Sequence, residues 1–262
     1  MYRSPLLLAL LALCPTLPAE SSRKSTTPAY AAASVVNSAT SLPDALAPNA
    51  IATIYGTDLS YGTNQASSAN IFNHMLPEVL AGVRVYVGRY SASLYYVSPR
   101  QINFVMPALR SGDWDLYVAR EGTAGPQVRI TLRDVGPGLY QWEPGMIAST
   151  HADGSNITKD HPAHGGETVV LYGTGLGETE PAVVVGQINM VAAQMLRLSD
   201  LRIVVGGKTL DSASTAYAGV TPGSPGLYQV NVRLPKQVAA NPEIRLTIGD
   251  QSGPSNMKLP LR

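Results

Sequence analysis

One cysteine in 262 residues, Cys14, rules out an intramolecular disulfide framework. Phenylalanine is nearly as scarce, with two copies against 13 tyrosines and two tryptophans. Ring area in this chain therefore comes mostly with a phenol attached, which favours rims and edges over a dry core. Charged residues make up 14% of the chain and balance to +1. That leaves no strongly basic surface to draw a nucleic acid or an anionic membrane, and neither is expected as a partner. The apolar run Leu6–Leu13 is too short to cross a bilayer, and no longer one follows. Amphipathic helices are missing too: apolar residues alternate in short runs punctuated by 24 glycines and 20 prolines.

What is present begins with an export signal. Met1-Tyr2-Arg3, the run Leu6–Leu13 and the small-residue exit at Ala19 have the order of a secretory signal peptide, so residues 1–19 are expected to be removed. Cys14 stands where a lipidated cysteine would, but Leu13 before it is bulkier than such processing takes. Cleavage carries off Cys14 and Arg3 and leaves 18 basic residues against 18 acidic ones, with no thiol. A thiol-free exported chain must be held by core packing, and about 240 residues can bury enough apolar surface for that. Residues 20–33, rich in Ser, Thr, Ala, Lys and Pro, are expected as a flexible spacer. The expected location is extracellular or in the cell envelope, with no transmembrane segment in the mature chain.

From Ser34 onward the sequence says nearly the same thing twice. Ile54-Tyr55-Gly56-Thr57-Asp58-Leu59 returns as Leu171-Tyr172-Gly173-Thr174-Gly175-Leu176, and Gln101-Ile102-Asn103-Phe104 returns as Gln229-Val230-Asn231-Val232. Between these markers Val83-Arg84-Val85-Tyr86-Val87-Gly88 answers Leu201-Arg202-Ile203-Val204-Val205-Gly206. A unit of over a hundred residues is about one domain long, so two copies of one fold are expected. Period-two alternation, short strands and turn residues at regular spacing indicate antiparallel sandwiches. The expected division is domain one over 34–144, a polar linker over 145–166, and domain two over 167–262.

These markers also carry a resemblance. Leu46–Leu59, Leu94–Phe104, Tyr217–Gly223 and Gly226–Val232 look like the Solibacter-type C-terminal domain family of acidobacterial exported proteins, and each half resembles the immunoglobulin-like IPT/TIG module. The resemblance covers the chain from about Ser34 to Arg262. It implies two tandem immunoglobulin-like β-sandwiches at the cell exterior and no established activity.

Candidate chemistry is sparse. Gly173-Thr174-Gly175-Leu176-Gly177 follows an apolar strand, but it lacks the glycine spacing, the helix and the Lys-Ser/Thr pair that a phosphate cradle needs, so no cofactor is expected. His151, Asp153, Asp160, His161, His164 and Glu167 offer metal-ligating groups within one polar run. Their spacing matches no closed site, so they are read as unliganded, solvent-facing linker residues and no metal is expected. No serine elbow is present, and Asp113 and Asp115 beside Trp114 read as a solvated strand face instead of a catalytic pair. Gln101 with Asn103 and Gln229 with Asn231 read as structural amides. The rim aromatics Tyr95, Tyr96, Tyr140 and Trp142 are the expected ligand or partner contacts, with interdomain packing as the competing role for tyrosine. The expected function is that of an exported, non-enzymatic structural or interaction module meeting a cell-surface protein or polysaccharide. The alternative is a carbohydrate-binding protein using exposed Tyr and Trp, and a hydrolase stands behind both.

Overall fold

The computed structural model describes residues 26–262. The expected signal peptide and the first residues of the spacer lie outside the described residues. The described chain is all β, with only four single-turn 3₁₀ segments. Its first sandwich contains β1 (Val35–Asn37), β2 (Ile51–Tyr55), β3 (Asn64–Gln65), β4 (Val83–Val87), β5 (Tyr90–Ser91), β6 (Ser93–Val97), β7 (Gln101–Val105), β8 (Gly112–Arg120), β9 (Thr123–Ala124) and β10 (Val128–Leu132). One sheet runs β1-β2-β7-β6-β3 and the facing sheet runs β10-β8-β4-β5.

The second sandwich contains β11 (Gly138–Leu139), β12 (Gln141–Glu143), β13 (Met146–Ile147), β14 (Ser149–His151), β15 (Thr168–Thr174), β16 (Thr179–Glu180), β17 (Ala193–Met195), β18 (Leu201–Val205), β19 (Lys208–Thr209), β20 (Thr215–Val220), β21 (Tyr228–Arg233), β22 (Ile244–Ile248) and β23 (Gln251–Ser252). Here β11-β15-β21-β20-β17-β16 faces β19-β18-β22-β23. Both halves thus place the opening strands beside a later antiparallel pair on one sheet, and a hairpin beside a later long strand, β4–β5 with β8 and β18–β19 with β22, on the other. This is the strand order of an immunoglobulin-like sandwich.

Alternation explains the strands. Val83, Val85 and Val87 are fully buried while Arg84 and Tyr86 are half-exposed, and Leu201, Ile203 and Val205 repeat the pattern. Each such apolar side chain removed from water contributes about 1.5–3 kcal/mol against the ordering entropy. The duplication is kept at the level of single pairs. Tyr55 faces Gln101 and Thr53 faces Asn103 in the first half; Tyr172 faces Gln229 and Val170 faces Asn231 in the second. Even the irregularity recurs, between Leu94 and Tyr96 in β6 and between Thr215 and Tyr217 in β20.

Three boundaries differ from those expected. The stretch expected as a linker over 145–166 is the split first strand of the second sandwich: β14 pairs with β15, and Ile147, Ile157 and Ala163 are buried in that sandwich's core. Its polar, turn-rich composition hides three apolar anchors spaced too far apart to show a strand period. The second core begins before position 145, because Val135 and Leu139 already belong to it. Spacer residues 26–33 are docked and not flexible: Ala29 bridges Thr57, and the Tyr30 hydroxyl accepts from Val118 N at 2.7 Å and lies 2.6 Å from the Pro126 carbonyl. One ring, Tyr30, outweighs a disorder-prone composition.

The two sandwiches meet through hydrogen bonds instead of a tether. Asn37, wholly buried, donates to the Gly136 carbonyl at 2.9 Å and the Ala45 carbonyl at 3.0 Å. Thr174, also wholly buried, accepts from Ile51 N at 2.9 Å and donates to the Gly226 carbonyl at 2.7 Å. A side chain at Gly175 would stand 2.1 Å from the Gly136 carbonyl, and its φ of +79° is one that L residues rarely adopt. The glycine-rich marker therefore serves a strand-ending turn and a close backbone crossing. Its counterpart Asp58 also has positive φ, +56°.

Candidate functional site

Strand alternation puts Ile51, Thr53 and Tyr55 on the outer face of β2, and the register sets Gln101 and Asn103 of β7 beside them. The bulge in β6 brings two consecutive tyrosines, Tyr95 and Tyr96, toward the same region, and the short edge strand β3 adds Gln65. Tyr140, from the start of the second sandwich, closes the other side. Together these residues line an open cleft of about 510 Å³. It holds four tyrosine rings and three side-chain amides.

Part of its hydrogen-bonding capacity is committed. Asn103 Oδ1 accepts from Thr53 Oγ1 at 3.0 Å and from Gln101 Nε2 at 2.9 Å, which fixes the amide and leaves its Nδ2 donor for something else. The structural reading of the paired amides holds for this internal bond, and Gln229 with Asn231 repeats it at 3.1 Å. Tyr95 donates to the Pro225 carbonyl at 2.7 Å, and Tyr140 shares a 2.5 Å bond with Ser38 Oγ. Burial raises both phenols, that of Tyr140 to about 12 against the opposing bonds from Ser38 and Thr174; for Tyr95 the nearby Tyr140 adds to the rise. Both rings are neutral well above physiological pH. Among the described residues, the hydroxyls of Tyr55 and Tyr96 and the amide of Gln65 have no protein partner.

A second cleft, also about 510 Å³, adjoins the first and shares Tyr140 with it. The hairpin β12–β13 carries Trp142 to its edge, 55% exposed, and Tyr172, Thr150 and Asn156 form much of the rest. Tyr172 is the duplicate of Tyr55. Its hydroxyl lies 3.3 Å from Thr150 Oγ1.

The four rim aromatics named from sequence thus gather in two adjoining clefts, but they do not have one role. Tyr95 and Tyr140 are tied into the joint between the sandwiches, as the packing alternative requires, while Tyr96 and Trp142 keep accessible edges. Tyr55, 45% exposed, was missed as a contact candidate although the alternation of Thr53 and Tyr55 and the repeat at Tyr172 were both readable.

The other candidates lie elsewhere. Asp115 pairs with Arg129 at 3.1 Å and Asp113 accepts from Thr131 at 2.6 Å, which is the solvated strand face expected of them. His161 and His164 are exposed, but His151 is not solvent-facing: its side chain is 13% exposed, its Nδ1 is bonded to Glu167, and its ring lies 4.3 Å from that of His161. Docking of β14 on β15 draws His151 against the sheet. Among the described residues no group of three metal-ligating side chains converges.

No protein-family model and no curated protein matches the chain. Solved structures do. A mixed-linkage glucan utilization locus protein, SGBP-B of Bacteroides ovatus, solved with a mixed-linkage heptasaccharide, is 10% identical with a TM-score of 0.33 over 84% of this chain and 42% of its own. Surface glycan-binding protein PbSGBP-B of Prevotella bryantii is 13% identical with a TM-score of 0.28, over 88% and 41%. Domains 5–6 of the S-layer protein SbsC are 12% identical with a TM-score of 0.28, over 89% and 98%. The chain spans about two fifths of the length of the first two. No residue of this chain takes a role from any of the three.

Proposed function

We propose that this chain is a non-enzymatic binding module of the cell exterior, of the Solibacter-type family its motifs resemble, and that the first cleft binds carbohydrate. The observation that supports this is the convergence of four tyrosines and three amides in one open cleft, with Tyr55, Tyr96, Gln65 and the Asn103 donor still unpaired. Sugar rings present apolar C–H faces and paired hydroxyls, and flat phenols flanked by amides answer both. A glycan array run beside a pull-down from the producing cell's envelope tests it. Retention of glycans, lost in Tyr96→Ala by about 1–3 kcal/mol with unchanged melting, is the expected result. An array with no hits would sink it.

A second reading, protein contact, is favoured by a different surface. Phe72 is 77% exposed and Met190 73%, on loops from the two sandwiches that bridge at Met75 and Gln187. An envelope protein captured by the native chain, and lost in Phe72→Asp but kept in Tyr96→Ala, would select this reading.

A further inference from the structure

The two clefts share a wall, and neither contains a charge. Tyr140 lines both. Among the described residues no Asp, Glu, Lys, Arg or His lines either one, although other concavities of the molecule hold Arg129 with Asp44, and Arg197 with Glu178. Resting on the carbohydrate reading above, we propose that the two clefts are halves of one groove that grips a linear, uncharged polysaccharide along its length, across both sandwiches.

The absence of cations selects against acidic glycans. A uronate or sulfate taken into a cleft of phenols and amides would lose hydration without gaining the guanidinium or ammonium partner such groups need. Aromatic surface follows the expected path of a chain: Tyr55 and Tyr96 in the first cleft, Tyr140 at the divide, Tyr172 and Trp142 in the second. Each cleft alone is of a size suited to a small ligand, whereas the pair offers successive positions for repeating units. The hairpin that carries Trp142 is inserted between β11 and β14, the two segments paired with β15, and among the described residues the first sandwich, with a single β1 in that place, has no equivalent. The duplicate tyrosines Tyr55 and Tyr172 thus face two different halves of the same track.

Calorimetric titration of the full chain with linear gluco-, xylo- and manno-oligosaccharides, from disaccharide to octasaccharide, tests the proposal, with polygalacturonate as the acidic comparison. The expected result is an affinity in one neutral series that climbs by about tenfold or more with length, a difference readily read as Kd. Trp142→Ala should bring the long oligosaccharide down to the affinity of the short one, whereas Tyr96→Ala should weaken every length. Trp142 is largely exposed, so unchanged melting should accompany its loss of binding. Length-independent binding with a silent Trp142→Ala would overturn the groove while leaving the first cleft as a sugar site. Preference for polygalacturonate would overturn the neutral class. Failure to bind any series would overturn both the groove and the reading beneath it.

Discussion

In each sandwich a tyrosine just past a strand irregularity stands opposite the asparagine of the neighbouring strand, Tyr96 against Asn103 and Tyr217 against Asn231. The second tyrosine is committed. Its hydroxyl lies 3.0 Å from the Ala193 carbonyl and 2.8 Å from that of Val220, because the sheet continues past β20 into β17 and β16. In the first sandwich the same edge is covered only by the two residues of β3, and Tyr96 is left half-exposed beside a cleft. Two copies can therefore keep register, bulge and amide pair while only one leaves its post-bulge tyrosine hydroxyl without a protein partner beside an open cleft. The difference comes from what covers the edge, not from the strands that form the floor.

Substitutions can break or sharpen that comparison. The largest effect is expected at the joint on which both copies depend. Gly175→Ala puts a methyl group 2.1 Å from the Gly136 carbonyl at positive φ and should cost about 3 kcal/mol in urea unfolding. One shifted transition would show that the sandwiches unfold together; two transitions, with only one moved, would show that each copy stands alone.

A pH series comes next in size. Folding raises the Tyr140 phenol from its usual 10 to about 12 by burial, so the unfolded chain releases that proton first. The contribution is fully present below pH 10 and is lost as pH rises through about 12. Tyr30 is raised to about the same value by burial and acts in the same window. The wild-type curve should fall more steeply there than that of Tyr140→Phe, and identical curves would remove Tyr140 from the account.

The smaller effects test the comparison directly. Tyr217→Phe removes the hydroxyl that donates to the Ala193 and Val220 carbonyls and should cost about 1 kcal/mol, whereas Tyr96→Phe should change stability by less than about 0.5 kcal/mol. Equal losses in thermal melts would mean that the two edges are not differently used.

Much of this fold was legible because the period-two alternation and the repeated markers are local properties of the chain. Tyr55 with Tyr172 and Asn103 with Asn231 could be aligned by eye, and the strand registers match that alignment. The role of residues 145–166 was not legible, since Ile147, Ile157 and Ala163 enter the core through turns that carry no period. The split between Tyr95 and Tyr96 was equally hidden: adjacent tyrosines in a strand are expected on opposite faces, and a bulge instead sends one phenol to Pro225 and leaves the other beside the cleft. Convergence of Tyr140 with them depends on contacts a hundred or more residues apart in sequence, as in its bond to Ser38. No window along the chain contains that information.

The chain leaves one hydrophobic core at Leu132 and enters the next at Val135. Two residues are too few to act as a swivel, and Asn37, Thr174 and Tyr95 pin the crossing from both sides. Such an object should tumble as one body: fluorophores attached to either sandwich should report the same rotational correlation time. Held at one end on an envelope, it would present the far end at a fixed distance and angle, a strut where a tethered pair of beads would be a flail.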